Sequence, residues 1–147
     1  PPYQMILLAE ELQNGHPLID PGDRIRLWQQ MVDHPPRAMV ETTIDQARQR
    51  LASFRVMWLK ACSWPDPIHQ YCLINQAVHG WLVVLYICND RFLSTPRWTH
   101  LDLSNLPRKP DNLYNRLAML VDAIGDAAEA ETRFSRLEIL WEELPGM

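Results

Sequence analysis

A chain of 147 residues, 47% of them hydrophobic, has material for one buried core, since a domain near this size hides roughly 70% of its unfolded surface. Its formal net charge of -4 supplies no general basic field for a phosphate backbone, which disfavours nucleic acid as a partner. Cys62, Cys72 and Cys88 are odd in number and lie in apolar helical context, so they read as reduced thiols of a cytoplasmic protein and not as a disulfide framework.

Prolines and capping residues divide the chain. "PPYQMILLAEELQNG" spaces Ile6, Leu7, Glu10 and Glu11 for a first helix that stops at Gly15. The next segment, "DPGDRIRLWQQMVDHPP", opens on Asp20 and Pro21. It carries Ile25, Trp28 and Met31 or Val32 on one face and ends before Pro35. A third, long helix runs from about Pro36 to Ser63, with Ile44, Ala47, Leu51, Phe54, Val56, Trp58 and Leu59 as a stripe that widens toward its end. "SWPDPIHQ" breaks it. Asp66 as cap and Pro67 at the first helical position then start a fourth helix, predicted to reach about Leu93. "PRWTHLDLSNLPRKP" reads as a short helix or turn and a loop. A helix over Pro110 to Ile124 ends at Gly125, and Asp126 with Glu129 forms a capping-box signature for a last helix to about Leu144. No run alternates with period two. The expectation is an all-α antiparallel bundle of about five to seven helices, forming one domain over residues 1–147.

The longest apolar run, Trp81 to Cys88, is short of the roughly 20 residues a membrane helix needs, and no signal-like segment opens the chain. No membrane partner is expected. A start at "PPYQM" and an end at "ELPGM" suggest part of a longer chain.

The fourth helix is greasy on nearly every side, so it must be covered on nearly every side, by neighbouring helices or by a second copy in a homodimer. One stripe is polar: Asn75, His79, Tyr86 and Asn89 fall with Leu82 inside a sector of roughly 80°. Buried polar groups of this kind either pair with backbone inside a core or wall a pocket between helices, where bundles place ligands. The charged run of Glu129, Glu131, Glu138, Glu142 and Glu143 with Arg133 and Arg136 reads as a solvated face paired within its own helix. The histidines show no i, i+4 pairing and the cysteines no CxxC, so no metal site and no cofactor is expected in this chain. No nucleophile elbow, phosphate loop or dinucleotide-binding turn occurs.

The order of "LIDPGDRI", "DHPP", "LYICNDRFLSTPRW" and "LPRKPDNLYNRLAMLV" resembles the C-terminal helical region of the nucleotidyltransferase superfamily, in the branch of aminoglycoside and minimal nucleotidyltransferases. Asp20, Pro21 and Asp23 match the turn that enters the bundle. Leu85, Asn89, Phe92 and Arg97 match a "L-x-x-L-N-x-x-[YF]" pattern and the basic residue after it, with Cys88 where a leucine is usual; Leu106, Pro107 and Pro110 match a "L-P-x-x-P" loop. The resemblance implies that the chain is the C-terminal part of a longer protein, an accessory, acceptor-side bundle beside an upstream catalytic domain. That domain would hold nucleotide with a Gly-Ser pair and divalent metal with Asp-x-Asp, motifs this chain lacks. The chain itself is thus expected to be non-catalytic, with a small-molecule acceptor as partner and Asn75, His79, Tyr86, Asn89 and Arg97 as candidate substrate-binding residues. Two alternatives remain: an interaction or dimerisation module, and a relative of helical nuclease toxins. The second is weakened because those nucleases place a histidine five to seven residues after an arginine, and no arginine here has one.

Overall fold

The computed structural model describes residues 3–64, 66–93, 99–122 and 127–144, leaving aside the side chains of residues 3–7, 99 and 127–130. Among the described residues there are seven helices and no strand, as the periodicity predicts: α1 (Tyr3–Asn14), α2 (Arg24–Met31), α3 (Arg37–Ser63), α4 (Pro67–Cys88), α5 (Thr99–Ser104), α6 (Leu113–Val121) and α7 (Ala127–Glu142). Arg97 and Asp126 of the predicted capping box lie outside the described residues, as does the side chain of Glu129.

Local chemistry explains most of the boundaries. In Asp20-Pro21-Gly22-Asp23, Pro21 presets the second position of a turn and Gly22 takes φ 93° at the third, while the Asp23 amide donates to the Asp20 carbonyl at 3.2 Å. The Asp20 carboxylate then accepts from the amides of Ile25 and Arg26, satisfying donors that the first turn of α2 leaves orphaned. Asp66 does the same for α4, accepting from the Ile68 amide at 3.0 Å and the His69 amide at 3.2 Å, with Pro67 pre-set for the first turn.

Helix α4 stops at Cys88, five residues before the predicted end. Asp90 adopts φ 58°, its amide donates to the Ile87 carbonyl, and the Arg91 amide reaches back to the Tyr86 carbonyl at 3.0 Å. This is a Schellman motif with aspartate where glycine is usual. At the other end of the following loop, Asn112 at φ 52° delays α6 until Leu113, three residues after Pro110.

The core lies among α3, α4, α6 and α7, with α3 packed on α4 and α7 and α4 packed on α6. Trp58 and Trp81 are fully buried, and the Trp81 indole donates to the Leu140 carbonyl at 3.0 Å. Phe54 stacks against Trp58 and against Phe134 of α7, each with 6.0 Å between ring centroids. By length and composition α4 would also suffice to cross a membrane, but half of its apolar window is buried within the bundle.

Two expectations need correction. Helix α4 is enclosed around nearly its whole circumference only from Trp81 to Cys88, while Ile68 and Tyr71 near its start are exposed. The charged run on α7 is a solvated face at Glu131, Arg136 and Glu142 but not throughout, and two of its carboxylates pair with other helices. Arg133 is buried, Glu138 approaches Arg55 of α3, and Glu143 pairs with Arg116 of α6 through Nη2–Oε1 at 3.0 Å. That pairing holds the Glu143 carboxyl below its ordinary value, because the guanidinium donates to it.

Candidate functional site

A groove of about 790 Å³ runs between α3 and α4, with Trp141 of α7 also contributing to its lining. From α3 come the polar side chains of Thr43, Gln46 and Arg50, and below them Ala47, Leu51 and Phe54. From α4 come Asn75, His79 and Gly80, then Val83 and Val84. An apolar floor with a few polar groups on its rim is the usual build of a small-molecule site, and the volume lies within the usual range.

The polar stripe predicted on α4 divides between two settings. Asn75 and His79 line the groove, Asn75 exposed and His79 half-buried. Desolvation pushes the His79 imidazole below its ordinary pKa, so the neutral ring dominates near neutrality. Tyr86 and Asn89 are buried away from the groove. Asn89 fastens the end of α4 to the loop before α6. Its Nδ2 donates to the Leu85 carbonyl at 2.8 Å and the Arg108 carbonyl at 2.7 Å, and its Oδ1 accepts from the Arg108 amide at 2.8 Å. With both amide donors engaged, Asn89 has little capacity left for a ligand. Arg108 adds an ion pair to Asp90 at 3.1 Å across the same junction.

Sequence reasoning missed the α3 side of the groove, because Thr43, Gln46 and Arg50 sit on the polar flank of an amphipathic helix and look like ordinary surface. It also passed over Gly80. A Cβ added there would meet no heavy atom within 4 Å, so close packing does not explain a glycine in mid-helix, where it costs about 1 kcal/mol relative to alanine. Trp141 is the third feature. It is 5% exposed, and its indole N–H finds no acceptor among the described residues.

The three thiols are free. Burial pushes Cys62 and Cys88 up, in Cys62 against the downward pull of Arg133, so neither is an activated nucleophile. Among the described residues no three His, Cys, Asp or Glu side chains are grouped as metal ligands. A second depression, of about 480 Å³, lies between α1 and α2. Two of its amides are spent on backbone, Gln13 on the Asp33 carbonyl and Gln29 on the Gly15 carbonyl. No protein-family model, curated protein or solved structure matches the chain.

Proposed function

We propose that this bundle is the acceptor-side accessory domain of a cytoplasmic nucleotidyltransferase. Its catalytic partner, an upstream domain with Gly-Ser and Asp-x-Asp, supplies the nucleotide and divalent-metal sites. The observation that carries the reading is that Asn75 and His79, half of the polar stripe, open into a groove of ligand size beside Thr43, Gln46 and Arg50. The sequence resemblance in "LIDPGDRI", "LYICNDRF" and "LPRKP" supplies the reaction class. Phosphoryl transfer asks a protein chiefly for positioning and charge neutralisation. Metal-bearing carboxylates of the other domain do the second, and the groove does the first by holding an acceptor.

The coding sequence immediately upstream tests this. It should encode an α/β domain in which a Gly-Ser pair precedes Asp-x-Asp, and the joined protein should bind a nucleoside triphosphate with Mg²⁺ while this chain alone does not. A reading frame lacking both motifs contradicts the proposal.

A second reading, an interaction or dimerisation module, draws on α2. That helix has no buried residue, and it exposes Leu27, Trp28 and Met31. Concentration-dependent dimerisation lost in Trp28→Ala would favour it.

A further inference from the structure

The lining of the α3–α4 groove restricts what can occupy it. Among the described residues, Arg50 and His79 are the only titratable side chains that line it, and no carboxylate does. Arg50 is exposed on the rim and makes no ion pair among the described residues. On the floor, Phe54 and Trp141 offer aromatic surface. At Gly80 the missing side chain deepens the groove at the expense of helix propensity.

From these features we propose that the groove binds a small anion with a flat apolar ring body. The rings lie over Gly80 against the aromatic floor, and the anionic group meets Arg50. This rests on the acceptor-side reading and narrows it. The branch that the sequence resembles includes enzymes named for aminoglycosides, which are polycations. A polycation would need carboxylates along the groove, and here it would meet a lone guanidinium instead.

The test uses the chain as it stands, with 2-naphthoate and 2-naphthylmethylammonium as probes of similar shape and opposite charge, titrated calorimetrically. Wild-type protein is expected to bind naphthoate about fivefold or more tightly over the ammonium probe, a factor within reach of one partly exposed charge-assisted contact. Arg50→Gln should bring the two affinities together. Gly80→Leu should weaken naphthoate by about tenfold or more, because the new side chain fills the groove, while circular dichroism and melting temperature remain those of a folded helical protein. Equal or tighter binding of the ammonium probe overturns the proposal. So does naphthoate binding that survives Gly80→Leu, or no binding of either probe. None of these results depends on an upstream catalytic domain, so failure here and failure of the nucleotidyltransferase reading remain distinguishable.

Discussion

His79 within α4 and Asn89 at its C-cap lie ten residues apart, and the two are expected to respond to mutation in different ways. Asn89→Ala removes three buried or half-buried hydrogen bonds and leaves the Arg108 amide and carbonyl without that partner. The expected cost is about 2–4 kcal/mol in urea unfolding, with naphthoate affinity per folded molecule unchanged. For His79 the effect is one of pH. Its folded-state pKa is lowered by burial, so on acidification the unfolded chain takes up the proton first. Stability should therefore fall as pH drops from about 6.5, the ordinary histidine value, through the lower folded value. His79→Gln should show a shallower loss over that window, and an identical slope would show that His79 contributes nothing to it. The stripe itself was legible from helical spacing. Its division into a groove end and a clamp was not, because that depends on where the α5–α6 loop returns to meet Asn89.

At the scale of elements, caps were more informative than apolar stripes. Asp66-Pro67 and Asp20-Pro21-Gly22 announce their helices in sequence, and both aspartates accept amide hydrogen bonds as that chemistry requires. Asp66→Ala should cost about 1 kcal/mol, readable as a lower melting temperature. The apolar pattern carries the predicted α4 past its real end because it continues through Phe92 and Leu93, both buried. What stops the helix is Asp90 in a left-handed conformation, which aspartate tolerates but does not advertise as glycine would. On α2 the opposite error arises. Periodicity gives Trp28 and Met31 an apolar face, yet the structure leaves both exposed, since amphipathicity says that a face needs cover and not where the cover stands.

For the whole molecule, the helical class was written throughout the sequence, whereas the groove arises only when the polar flank of α3 is laid beside α4. The core depends on α4 from Trp81 to Cys88. Leu82 is 8% exposed there, so Leu82→Asp should destabilise by several kcal/mol or prevent folding, seen as lost helical ellipticity or insoluble protein. The groove, by contrast, should tolerate substitution at its rim, which makes it separable from the fold. The most direct measurement of whether it is the functional face is amide chemical-shift mapping by NMR as 2-naphthoate is added. Shifts should concentrate at Gln46, Arg50, His79 and Gly80 and saturate together; shifts centred instead on Leu27, Trp28 and Met31 of α2 would contradict the groove and place the binding face on α2.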